Sequence, residues 1–135
     1  MKTVTKTFEF SASHRLIRDD WSDERNQHVF GRCFRGHGHT YRLEVTVAGA
    51  IDPETGMIVD SRILGSIVRE HVVADLDHFD LNTAVPWLQG KLTTAEVLVD
   101  AIWDRLEGVL AEQSVQLTML RLWETNSFCA TRTAE

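Results

Sequence analysis

Three histidines and one cysteine carry the chemistry that this sequence could perform. His37 and His39 flank Gly38 in the run Cys33-Phe34-Arg35-Gly36-His37-Gly38-His39-Thr40-Tyr41. Beyond it the positions alternate, with Tyr41, Leu43, Val45 and Val47 apolar and Arg42, Glu44 and Thr46 polar. That is the period-2 pattern of a half-buried strand. Side chains two apart on a strand share a face. If the strand already runs at His37, both imidazoles extend the core-facing row, about 6–7 Å apart, and can converge on one metal ion. A bare His-x-His is more often a packed pair than a ligand pair, so a third histidine decides the matter. Phe8, Phe10, Ala12 and His14 share one parity in a first strand expected over residues 3–12, a row begun by Val4 and interrupted by Lys6. His14 at its end is the natural third ligand. Three neutral imidazoles with one open position describe a catalytic zinc site, although iron, cobalt or nickel suit the same donors.

The elements that must position these groups follow in order. Residues 18–36 form a polar stretch too long for a hairpin turn, read as a functional or disordered loop with His28 on its surface. Asp52-Pro53-Glu54-Thr55-Gly56 is a turn, and residues 57–59 are a short extended run. Asp60 or Ser61 caps a helix over residues 62–74, with Ile63, Leu64, Ile67, Val68 and Val72 inward and His71 on the surface. Asp77-His78 at its exit is either a solvated pair or a base oriented by its carboxylate. Thr93-Thr94-Ala95-Glu96 has capping-box form and opens a second helix with Val97, Leu98, Ala101, Ile102, Leu106, Val109 and Leu110 as its core stripe. Strand three spans residues 115–124, apolar on both faces in places, which implies cover on both sides, as by another subunit. A turn at 125–127 leads to a last strand over 128–133, where Cys129 packs. The order β-β-α-α-β-β predicts one α+β domain over residues 1–135, a four-stranded antiparallel sheet backed by two helices.

Composition narrows the function classes. The chain has 135 residues, 43% hydrophobic and 25% charged, enough for a real core. A net charge of −6 without a Lys/Arg cluster argues against a nucleic-acid surface, while a local basic pocket for a phosphorylated small molecule stays possible. No apolar run reaches the length of a membrane span, and residues 1–6 lack a signal-peptide core. Two cysteines make no disulfide framework, so the expected compartment is the cytoplasm.

Taken together, Phe10-Ser11-Ala12-Ser13-His14-Arg15-Leu16, Asn26, Phe30-Gly31-Arg32-Cys33, His37-Gly38-His39-Thr40-Tyr41, Gly56-Met57-Ile58-Val59-Asp60, Leu76-Asp77-His78 and Trp123-Glu124-Thr125 resemble one family in order and spacing. It is the family of 6-pyruvoyltetrahydropterin synthase and 6-carboxytetrahydropterin synthase. The resemblance implies the tunnelling fold, in which sheets of several subunits close into a barrel, and a homohexamer of two trimers with active sites at subunit interfaces. It also implies Zn2+ on His14, His37 and His39 and 7,8-dihydroneopterin triphosphate as substrate. Cys33 then corresponds to the general base, Asp77 and His78 to a second proton-transfer pair, and Glu124 to the carboxylate that anchors the pterin. The family's Pro-Thr-x-Glu-Asn run corresponds to Thr93-Thr94-Ala95-Glu96-Val97, which keeps Thr94 and Glu96 in the pterin pocket and departs at both ends. Three residues between Cys33 and His37 resemble the 6-carboxy enzymes of deazapurine biosynthesis, whereas residues 22–31 resemble the pyruvoyl synthases. The spacing inside the site favours the 6-carboxy reaction, releasing acetaldehyde and triphosphate. The pyruvoyl reaction is the alternative, and a non-catalytic zinc-containing pterin or purine binder is a third.

Overall fold

A computed structural model describes residues 1–135. Strand β1 (Thr3–His14) pairs antiparallel with β2 (His37–Ala48) in unbroken register from Thr3 opposite Ala48 to His14 opposite His37. The period-2 pattern therefore does run through the histidines, and it sets His14 across from His37 and Ala12 across from His39. Strand β4 (Gln116–Thr125) adds to the other edge of β2, and β5 (Phe128–Thr133) pairs with β4.

Two helices pack on one face of this sheet. Helix α2 begins at Ser61, with the Asp60 side chain accepting from the Arg62 amide at 2.8 Å. It runs to Val68, widens through a π turn at Arg69–Val73 and ends at Ala74–Leu76. Helix α3 (Ala95–Ala111) buries Leu98, Ala101, Ile102, Leu106 and Leu110 against Leu43, Val45, Leu120 and Leu122 of the sheet. Each of the buried leucine, isoleucine and valine side chains contributes about 1.5–3 kcal/mol relative to exposure.

The structure departs from the sequence reading in four places. The polar stretch contains a helix, α1 (Asp23–Phe30), followed by a 3-10 turn at Gly31–Phe34. Ser22 caps α1, and the buried Asn26 ties it down, accepting from the Arg18 amide and donating to the carbonyls of Arg18 and Ser22. A two-residue strand, β3 (Phe79–Asp80), pairs parallel with β1, so the sheet is mixed and five-stranded in the order β3-β1-β2-β4-β5, open at both edges. Ile63 is exposed on α2 instead of joining the core. Strand β4 is apolar on both faces in places, as expected, but a bulge that the sequence reading lacked interrupts it. Val47 pairs with Leu117 and Thr46 with Met119, which leaves Thr118 as an extra residue. Leu117, Leu120 and Leu122 are thus all buried, and Met119 and Trp123 are only half-buried.

Candidate metal centre and active site

The ends of β1 and β2 build the centre. His14, His37 and His39 each offer one ligand atom, all within 4.8 Å of one another. His14 is 1% exposed, and its ring lies 4.6 Å from that of His37 and 5.2 Å from that of His39. Acceptors on the far side of two rings fix their tautomers. His14 Nδ1 lies 2.9 Å from the Thr93 carbonyl and 3.2 Å from Thr93 Oγ1, and His37 Nδ1 lies 2.7 Å from the Arg35 carbonyl. A carbonyl can only accept, so both Nδ1 atoms carry the proton and both Nε2 lone pairs are free. The buried Nε2 atoms of His14 and His39 have no hydrogen-bond partner. Burial, reinforced by His37, lowers the His14 pKa to about 4, and burial also lowers that of His39. These are neutral, orphaned imidazole nitrogens facing one point, and a divalent metal ion satisfies all of them.

Two further groups border the centre on the inner face. Glu124 places one carboxylate oxygen 4.0 Å from His14 Nε2 and the other 3.9 Å from His39 Nε2. A second irregularity, where Trp123 pairs with Cys129 and Thr125 with Phe128, leaves Glu124 as the odd residue of the β4–β5 ladder. Bulges commonly re-aim a side chain in this way beside a site. Tyr41, fully buried and stacked on Phe10 at 4.9 Å, has an unpartnered hydroxyl. Burial, then the Glu124 charge, pushes that hydroxyl's pKa far above its ordinary value, so it stays a neutral donor.

The Asp77–His78 pair is real and lies elsewhere. Asp77 Oδ2 is 3.0 Å from His78 Nδ1, while its Oδ1 accepts from the Ser11 amide at 2.8 Å. The Ser11 amide first, and His78 second, hold the Asp77 carboxyl below the usual carboxylate range. The His78 amide donates to the Ser11 carbonyl at 2.6 Å, and its φ of 66° is a left-handed conformation that costs a non-glycine residue about 1–3 kcal/mol. His78 is 82% exposed on a groove of about 440 Å3 that it shares with Ser11, Ser13, His39, Thr40 and Asp80. By the strand pleat those serines and Thr40 point away from His14 and His39. The serines and Thr40 of the groove thus belong to the sheet face opposite the histidine cluster, while His39 of that cluster also lines it.

Cys33 sits in the 3-10 turn as a half-buried free thiol, outside the metal cluster. Its carbonyl accepts from the Leu16 amide at 2.8 Å, which ties the turn to the end of β1. Thr94 is the N-cap of α3, accepting from the Val97 amide at 3.3 Å, so the cap falls one residue later than a Thr93–Glu96 box would put it. That shift frees Thr93, 1% exposed, to receive His14 while its hydroxyl reaches the Arg15 carbonyl at 3.2 Å. Sequence reasoning passed over Thr93, and the departure from proline at that position was the signal available.

A family model described as 6-pyruvoyl tetrahydropterin synthase matches residues 3–135. A 6-pyruvoyl tetrahydrobiopterin synthase of Pongo abelii is 40% identical over 126 residues, covering 92% of this chain and 86% of the relative. A 6-carboxy-5,6,7,8-tetrahydropterin synthase of Haemophilus influenzae is 29% identical over 150 residues, covering 96% and 97%. The structure of Caenorhabditis elegans 6-pyruvoyl tetrahydropterin synthase superposes with a TM-score of 0.90 at 29% identity, covering 99% of this chain and 96% of the other.

Proposed function

Since the chain belongs to the 6-pyruvoyl tetrahydropterin synthase family, we propose that it is a zinc-dependent lyase that eliminates triphosphate from 7,8-dihydroneopterin triphosphate. The observation that carries this reading is the set of three converging imidazoles, two of them with buried, unpartnered ring nitrogens, next to a carboxylate. Zinc held by His14, His37 and His39 supplies Lewis-acid polarisation of the substrate's side-chain oxygens. Thr93 and Arg35 hold two of those imidazoles in the ligating tautomer. Glu124 accepts hydrogen bonds from the pterin's amino group and ring nitrogen, a pairing that fixes the ring beside the metal centre. Thr94 contributes to the same pocket from the start of α3. Cys33 takes the proton from the side-chain carbon, and the Asp77–His78 pair moves the second proton. His78 is exposed on a groove whose serines and Thr40 point away from His14, so we assign the dyad to the site of a neighbouring copy within a homohexamer.

Two products remain distinct readings. Relatives named 6-pyruvoyl tetrahydrobiopterin synthase match at 40% and 42% identity, in Pongo abelii and Homo sapiens, against 29% for the 6-carboxy enzyme, and this supports the pyruvoyl product. The three-residue spacing between Cys33 and His37 supports the 6-carboxy product. Incubation with dihydroneopterin triphosphate, with and without chelator, separates them. Pyruvoylpterin formed only without chelator is the expected result, and carboxypterin with acetaldehyde selects the second reading. No turnover by folded, zinc-loaded protein leaves the pterin binder.

A further inference from the structure

A cavity of about 570 Å3 opens where the chain leaves β1 and enters β2, walled by Arg15, Gln27, Arg32, Phe34 and Arg35. Its walls continue directly into two candidate ligands, since Arg15 follows His14 and Gly36, also on its lining, precedes His37. No carboxylate lines it. The adjacent cavity contains Asp19 and Asp20, and the groove at His78 contains Asp80.

The three arginines are free. Arginine ion pairs in the chain use Arg18, Arg42, Arg62, Arg105 and Arg132, and none involves Arg15, Arg32 or Arg35. Arg15 is also held in place: its Nε donates to the Phe34 carbonyl at 2.9 Å, and its guanidinium lies 4.1 Å over the Phe34 ring. That fixes the plane of the fork and leaves its terminal N–H groups uncommitted. Three unpaired guanidiniums around one cavity repel one another, and an anion between them relieves that repulsion. The grouping is conspicuous on a chain of net charge −6.

We propose that this cavity seats the oligophosphate chain of the substrate, with Arg15, Arg32 and Arg35 as its ligands. The assignment rests on the triphosphate-lyase reading and supplies it with a place for the leaving group. In the elimination, the base takes a proton from carbon and the C–O bond to the chain breaks, its electron pair leaving on the phosphate oxygen. Guanidiniums placed around that oxyanion stabilise it as charge accumulates.

The probe is inorganic triphosphate, titrated calorimetrically into the purified protein, with metal content assayed before and after. Arg32 and Arg35 are exposed, so Arg32→Gln/Arg35→Gln leaves folding, metal content and assembly unchanged. The double variant binds triphosphate at least about 10-fold more weakly than wild type, and orthophosphate binds wild type more weakly than triphosphate does. In steady state the same variant raises KM for dihydroneopterin triphosphate. Unchanged triphosphate affinity overturns the proposal. So does a variant whose only change is a smaller assembly, because the arginines would then serve a subunit contact. Arginine-dependent triphosphate binding without turnover of the pterin refutes the lyase reading and leaves the anion seat standing.

Discussion

At the scale of single residues, the centre depends on a group that does not touch the metal position. Thr93 receives His14 Nδ1 on its carbonyl at 2.9 Å and on its hydroxyl at 3.2 Å, and that hydroxyl also reaches back to the Arg15 carbonyl. Valine has the same shape without the hydroxyl. Thr93→Val therefore keeps the carbonyl acceptor and loses the second, and zinc affinity falls about 10-fold by chelator competition. Turnover of the fully zinc-loaded variant stays within a few-fold of wild type. Equal zinc affinities would reduce Thr93 to a packing residue. His14, His37 and His39 were legible in the sequence because strand parity continues up to the last residue of the ladder and fixes facing without any tertiary knowledge. Thr93 was not, because its role depends on a helix cap falling at Thr94 rather than one residue earlier.

At the scale of elements, the segment before β2 shows what periodicity cannot reveal. Helix α1 buries one residue, and that residue is Asn26. An apolar stripe is absent because the helix is anchored by side-chain hydrogen bonds to the turn before it. Asn26→Ala strands a buried amide and two carbonyls and costs about 2–3 kcal/mol in denaturant unfolding. Because α1 leads directly into the turn that carries Arg32 and Cys33, turnover declines as well. A loss under about 0.5 kcal/mol, the range of ordinary surface substitutions, would show that the segment is held by something else. The short strand β3 escaped notice for a related reason: two residues carry no period, and only the pairing with Ala12 and Ser13 defines them. Helices α2 and α3, by contrast, have apolar stripes long enough to read directly.

At the scale of the whole molecule, the proposed function asks for cooperation between groups that lie apart in one chain. The histidine cluster lies on the helix side of the sheet, His78 is exposed on a groove lined by Ser11, Ser13 and Thr40 of the other face and by His39, and both sheet edges are unpaired. A site shared between neighbours predicts complementation. Cys33→Ala and His78→Ala are each nearly inactive while retaining zinc. Unfolded and refolded together, so that subunits mix, they recover on the order of a quarter of wild-type activity, the chance that one site draws both intact groups from two different chains. No recovery, with mixing confirmed by mass, would place Cys33 and the dyad in the same subunit's site. The sequence could show each motif but not which side of the sheet each would occupy, since the exit from α2 turns through His78 with a positive φ that no pattern foretells.

The bulge at Thr118 has a consequence for how the length of this protein can change over generations. Upstream of it odd-numbered residues of β4 face inward, and downstream even-numbered ones do, including Glu124. Removing a codon at 121 would turn Glu124 out of the pocket, because every later facing depends on the count. Removing the codon for Thr118 restores plain alternation and keeps Leu117, Leu120, Leu122 and Glu124 on their present side. A chain lacking Thr118 therefore folds and binds zinc, whereas one lacking Arg121 loses pterin binding. Thr118 has the character of an insertion that the sheet has absorbed, and it marks the place in this strand where a deletion can pass unnoticed by the active site.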